Sequence, residues 1–187
     1  MKNNILITGF PNIGKTTLMQ KVREKLTCKI GGFITYEKFV KGTRTGFYIE
    51  DFSGNRMTMA DINLDSPYQF AQYGVSIDAF EKIGIPALYE AQKNADIILI
   101  DEIGTMESFS DEFCTLLIEV FNTPKPLLAT IKKKDSVLTS TLKNREDVLL
   151  FNLTTENRNL LVGKILEKVE KNLRDFKLIS NNHNLNI

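Results

Sequence analysis

One short run at the start of the chain limits the folds open to it. Ile5-Leu6-Ile7-Thr8 leads into Gly9-Phe10-Pro11-Asn12-Ile13-Gly14-Lys15-Thr16-Thr17. The first four residues read as a strand, and Leu18, Val22 and Leu26 recur at a helical interval behind the run. A strand, Gly-x-x-x-x-Gly-Lys-Thr and a helix in that order form a phosphate-binding loop. Glycines let the backbone wrap an anion so that successive N–H groups point inward. In such a loop the lysine, here Lys15, reaches the β/γ oxygens, and the hydroxyl of Thr16 is the Mg²⁺ ligand.

A second signal lies further along. Ile97-Ile98-Leu99-Ile100 is continuously apolar, as a parallel strand covered on both faces must be, and it closes on Asp101-Glu102. This is the Walker B pattern, and it makes Asp101 the candidate second Mg²⁺ ligand. Glu102 stands one residue on, at the strand edge where α/β sheets bind ligands, and is the candidate base for a water attacking the γ-phosphorus. Thr130 ends the strand after it and is a candidate γ-phosphate sensor.

Between the two signals the chain reads as a meander of hairpins over about residues 30–60. Strands at 32–37, 45–50 and 56–59 are separated by turns at Lys41-Gly42-Thr43 and Ser53-Gly54-Asn55. Residues 61–73 read as a loop. A helical stretch over 77–94 is expected to break or kink near Gly84 and Pro86. Ser108-x-x-Asp111 is a possible cap for the next helix, whose Phe113, Leu116, Leu117, Val120 and Phe121 form an apolar stripe. Strands at 127–131 and 148–153 flank a short helix near 136–143, and a last helix is expected over 155–173. Residues 1–176 read as one domain and 177–187 as a polar tail, where His183 has no assigned role.

These pieces resemble the small nucleoside-triphosphatase family first known from thermophiles, also called the cancer-related nucleoside triphosphatases. The resemblance is carried by Gly32-Phe33-Ile34-Thr35 with Glu37, Gly42-x-Arg44-x-Gly46-Phe47, and Tyr73-Gly74-Val75 with Phe80-Glu81. Ile85-Pro86-Ala87-Leu88, Asp101-Glu102-Ile103-Gly104-x-Met106-Glu107 and Thr154-x-Glu156-Asn157-Arg158 complete it, over about residues 3–165. It implies a RecA-like α/β fold with a mainly parallel central sheet and an inserted hairpin region. It also implies Mg²⁺-dependent hydrolysis of several nucleoside triphosphates with loose base selectivity. Nucleotide contacts are then expected from Gly9 through Thr17 and from Asp101, Glu102, Gly104 and Thr130, with Glu102 and Lys15 catalytic and Thr16 and Asp101 on the metal. Two positions depart from the family pattern: Asn12, where glycine is frequent, and Thr105, where a basic residue is common. Asn tolerates left-handed backbone, so the loop can still close.

Arg44, Arg145 and Arg158 are candidates to neutralise transition-state charge, whereas Lys132-Lys133-Lys134 reads as a solvated loop. Three other functions are open. A GTPase switch would need Asn-Lys-x-Asp to read guanine, and the chain has Lys132-Lys133-Lys134-Asp135. A small-molecule kinase would need an arginine-rich lid, for which no segment is evident. Against a non-hydrolysing nucleotide-binding module stands Glu102, which argues against that reading and leaves it open. The formal net charge of +1 gives no basic excess for nucleic acid. No apolar run reaches the roughly 20 residues that span a bilayer. Cys28 and Cys114 are far apart and suit reduced thiols. The expectation is a cytoplasmic protein whose partners are nucleoside triphosphates, with a monomer favoured.

Overall fold

A computed structural model describes residues 2–184. The chain runs β1 (Asn4–Gly9), α1 (Lys15–Arg23), β2 (Ile30–Val40), β3 (Thr43–Asp51), β4 (Arg56–Asp61), β5 (Gln69–Phe70) and β6 (Tyr73–Val75). It continues with α2 (Ile77–Ala79), one π-helical turn (Phe80–Gly84), α3 (Ile85–Asn94), β7 (Ile97–Ile103), a 3-10 turn (Glu107–Phe109) and α4 (Asp111–Phe121). The last elements are β8 (Leu127–Ile131), α5 (Val137–Lys143), β9 (Val148–Leu153) and α6 (Arg158–Asn184).

All the described strands join one sheet in the order β5-β6-β4-β3-β2-β7-β8-β1-β9. The apolar runs take its middle, where both faces are covered. Along β1 and β7 the side chains alternate between two cores. Ile5, Ile7, Ile97 and Leu99 pack with Leu18, Met19 and Val22 of α1 and with Leu161, Ile165 and Val169 of α6. Leu6, Ile98 and Ile100 pack on the other face with Leu88 and Ala91 of α3 and the Phe113–Phe121 stripe of α4.

The sheet is mixed, not mainly parallel as the resemblance implied. β2, β7, β8, β1 and β9 are parallel, whereas β2, β3, β4, β6 and β5 pair antiparallel. The cause is the length of β2. Ile30–Phe33 pairs with β7, and the strand then runs on to Val40 along β3. The hairpins between the two motifs therefore extend the core sheet.

Several local expectations change. The segment expected to be a loop ends in the small hairpin β5–β6, which adds to the sheet through Ala60 and Asp61 of β4. Near Gly84 the helix is interrupted, as expected, without ending. It takes up one π turn, and Pro86 stands in the first turn of α3, where its missing N–H costs nothing. Ser110, not Ser108, caps α4 by accepting the Phe113 N–H at 3.2 Å. Leu26 lies beyond α1, which stops at Arg23, but still packs on the same core. The final helix is longer than expected and reaches Asn184, through much of the segment read as a polar tail. Residues 185–187 of that tail, and the side chain of His183, lie outside what is described.

Candidate active site

Because β1, β7 and β8 are parallel, their C-terminal ends meet on one edge of the sheet. Gly9 ends β1, and any Cβ there would press against the Leu153 carbonyl at 2.9 Å and Ile13 at 3.0 Å. The loop that follows turns through Asn12 at φ 59° and Gly14 at φ 100°. Asn12 thus takes the left-handed backbone its side chain tolerates. Gly14 caps α1 without any side-chain hydrogen bond. The first bond of that helix runs from the Leu18 N–H to the Gly14 carbonyl at 2.9 Å. The first-turn N–H groups thus face the loop as donors for an anion. The Lys15 ammonium lies back across the loop and donates to the Phe10 carbonyl at 3.4 Å.

Next to the loop, Thr130 Oγ1 donates to Asp101 Oδ1 at 2.6 Å, and both residues are fully buried. The register that pairs Ile7 with Thr130 and Ile100 with Ala129 makes this contact possible. The other carboxylate oxygen, Asp101 Oδ2, is buried without a hydrogen-bond partner. Burial raises the Asp101 carboxyl to about 6, against the opposing pull of Thr130, Thr16 and Lys15, while the charge of Glu102 adds to the rise. An orphaned carboxylate oxygen at that depth, on a carboxyl that the Thr16 hydroxyl also acts on, suits a hard cation. Among the described residues no three acidic or thiol groups cluster. Mg²⁺ tolerates this, since it keeps waters and substrate oxygens in its shell.

Glu102 is half-buried at the end of the apolar run, and the Asp101–Glu102 peptide is cis. Gly104 lies under it: a Cβ on Gly104 would stand 4.0 Å from Glu102 Oε1 and 3.3 Å from Glu107 Oε2. Glu107 is 1% exposed and accepts the Gly104 N–H at 2.8 Å. Sequence reasoning gave it no role, although it closes the Asp101–Glu107 run. Its only signal was its place at the end of that run.

The three arginine candidates fall in different places. Arg145 pairs with Asp147 at 2.7 Å and donates to the Phe121 carbonyl, at the opposite edge of the sheet beside Asn4. Arg44 pairs across the hairpin with Glu37 and lies over Phe47. Arg158 opens α6 and, with Asn12, Thr17, Lys21, Asn159 and Val162, lines a pocket of about 400 Å³ beside the loop. The lysine run is more engaged than a solvated loop. Lys132 donates to Thr105 Oγ1 at 2.9 Å, and the Lys133 ammonium stands 3.5 Å from the ring centre of the exposed Phe10. Thr154 and Asn157 bond each other reciprocally ahead of α6 and so act in the turn.

A glycine-lined anion cradle and a buried carboxylate at the C-terminal edge of an α/β sheet define a nucleotide-binding class of protein. Comparison with known proteins narrows the class. The family model for NTPases matches residues 4–166, and the chain belongs to that family. It is 39% identical over 168 residues to the nucleoside-triphosphatase THEP1 of Thermotoga maritima, covering 90% of this chain and 96% of that one. It is 35% identical to the human cancer-related nucleoside-triphosphatase, covering 91% and 98%. Among solved structures, THEP1 from Aquifex aeolicus superposes with a TM-score of 0.82 at 35% identity, covering 89% of this chain and 99% of that chain. Among the described residues no helix is long and apolar enough to cross a membrane.

Proposed function

We propose that this chain hydrolyses nucleoside 5′-triphosphates (ATP, GTP, CTP and UTP) to the diphosphate and phosphate, with Mg²⁺ and little regard for the base. The observation that carries the reading is Asp101 Oδ2, buried and unpartnered beside a complete phosphate loop, with Glu102 next in the chain. The names of the relatives support the reaction class. The order with β8 between β1 and β7 supports a RecA-like arrangement of the sheet.

In this reading the backbone from Gly9 to Thr17 grips the β- and γ-phosphates, and Lys15 neutralises their non-bridging oxygens. Thr16 and Asp101 would hold Mg²⁺, which would neutralise charge on the phosphate oxygens. Glu102 orients a water and takes its proton as the oxygen attacks the γ-phosphorus. The bond to the bridging β–γ oxygen breaks, and the diphosphate leaves. Thr130 holds Asp101 in place and Gly104 supports the turn below Glu102. The pocket beside the loop offers Lys21, Arg158 and Asn159, flexible polar groups that suit a broad base preference. The near-neutral charge supports a protein with no nucleic-acid partner. A cytoplasmic, membrane-free monomer completes the proposal.

Phosphate release across the four triphosphates, with and without Mg²⁺, tests the reading. Glu102→Gln is expected to lower kcat by about 10²–10³-fold while nucleotide affinity stays within about threefold. Lys15→Ala weakens both. Unchanged turnover in Glu102→Gln would refute the assigned base. A large preference for GTP would restore the switch reading, and dependence on an added acceptor would restore the kinase.

A further inference from the structure

Glu107 is the titratable group that the proposed chemistry leaves unused, and its setting is not that of a structural acid. A buried carboxylate ordinarily finds a cation or several N–H donors. Glu107 is 1% exposed and has one backbone N–H at 2.8 Å from outside its own residue, that of Gly104. Among the described residues it forms no ion pair. Lys132, the cation acting on it, donates its hydrogen bond to Thr105 and lies 5.0 Å from the Phe70 ring centre. From α4 it faces Cys114, whose sulfur donates to the Glu107 carbonyl at 3.5 Å. Across Gly104 it faces Glu102, so a second carboxylate stands where a counter-ion would be.

We propose that Glu107 is a positioning residue for Glu102: it anchors the Gly104 N–H, fixing the turn on which the Glu102 carboxylate rests. The inference rests on the triphosphatase reading above. Gly104 links the two side chains, because a Cβ on it would stand 3.3 Å from Glu107 Oε2 and 4.0 Å from Glu102 Oε1. Loss of the anchor frees the turn, and the base then strays from its water. A misplacement of about 1 Å in a reacting group can cost about 10²-fold in rate. Ionisation of Glu107 has a related effect: it puts a second buried negative charge under Glu102 and an anionic substrate. Burial, then the charge of Glu102, raises the Glu107 carboxyl to about 8, so this ionisation falls in the alkaline range.

The test is kcat and KM for ATP between pH 6 and pH 10 in the wild type, Glu107→Ala and Glu107→Gln, using the full-length protein. Glu107→Ala is expected to lower kcat at least about tenfold at pH 7 with KM within about threefold. Glu107→Gln keeps an acceptor for the Gly104 N–H and cannot ionise. It is expected to recover most of the kcat lost in Glu107→Ala and to lack the fall in kcat that the wild type shows above about pH 8. Glu107→Gln settles the matter even if the alanine variant fails to fold. The inference is overturned if Glu107→Gln keeps the wild-type alkaline limb, or if folded Glu107→Ala retains wild-type kcat. Should the wild type itself release no phosphate from any triphosphate, the triphosphatase reading falls and this inference with it. Turnover in the wild type with unaltered Glu107 variants removes this inference alone.

Discussion

At the scale of single residues, the site is a set of buried polar atoms whose partners decide their charge. Thr130 Oγ1 donates to Asp101 Oδ1 at 2.6 Å in a fully buried pair. Thr130→Val keeps the shape and removes the donor, so it is expected to cost about 1–3 kcal/mol in urea unfolding. Thr130→Ser, which restores the hydroxyl, should recover part of that, and equal losses in the two variants would show that the bond contributes nothing. Glu107 gives a pH-dependent counterpart. Its folded value of about 8 stands above the ordinary 4.5. Between those values the folded chain holds a proton that the unfolded chain has released, so stability falls as pH rises through the window. The fall is at most about 1.4 kcal/mol per pH unit. Urea unfolding at pH 5, 7 and 9 should therefore show a wild-type decline that Glu107→Gln flattens. Parallel curves for the two proteins would contradict the assignment.

At the scale of elements, glycines separate into those that permit a crossing and those that merely occupy a helix. Gly32 has φ 110° and pairs with Leu99 where β2 meets β7, and a Cβ on it would overlap the Leu99 carbonyl. Gly32→Ala is expected to shift β2 off β7 and to unfold the protein or cost more than about 3 kcal/mol. Gly163 is exposed in α6 with nothing within 4 Å of an added Cβ. Gly163→Ala should raise stability by about 1 kcal/mol through helix propensity alone. Thermal unfolding of the two variants checks both, and a stable, wild-type-like Gly32→Ala would show that the close approach is not needed. Capping gives a milder case of the same local logic. The apolar stripe of α4 was legible from its spacing, yet choosing Ser110 over Ser108 required its φ of −107° and the Phe113 N–H.

At the scale of the molecule, the two ends of the chain hold the parallel half together. Asn172 of α6 donates to the carbonyls of Lys2 and Asn3 at 3.0 and 3.2 Å, just before β1 begins. Asn172→Leu is expected to lose about 1–2 kcal/mol of global stability while leaving kcat unchanged, because the bond lies at the far end of β1 from the loop. Denaturation alongside phosphate release separates the two effects. A drop in kcat with intact stability would mean that α6 acts on the site. The other half of the sheet grows from β2 alone, which pairs parallel on one edge and antiparallel on the other.

The cradle itself was readable before any coordinates. Gly-x-x-x-x-Gly-Lys-Thr needs only neighbouring residues to form, and its backbone demands, positive φ at Asn12 and Gly14, are local. The apolar runs of β1, β7 and β8 were equally plain, because cover on both faces removes alternation. What the chain does not spell out is who meets whom across long loops. The Thr130–Asp101 bond joins residues 29 apart, and the clamp of α6 on the N-terminus joins residues 170 apart. The mixed sheet, the placement of the three arginines and the burial of Glu107 beneath Gly104 depend on such closures, which no local pattern specifies. The sequence by itself determined that this protein carries a phosphate-loop motif and two acids at a strand end. Only the tertiary structure decided which oxygen of Asp101 is left unpartnered and which third acid lies under Glu102, because burial and charge there are set by elements that meet only after folding.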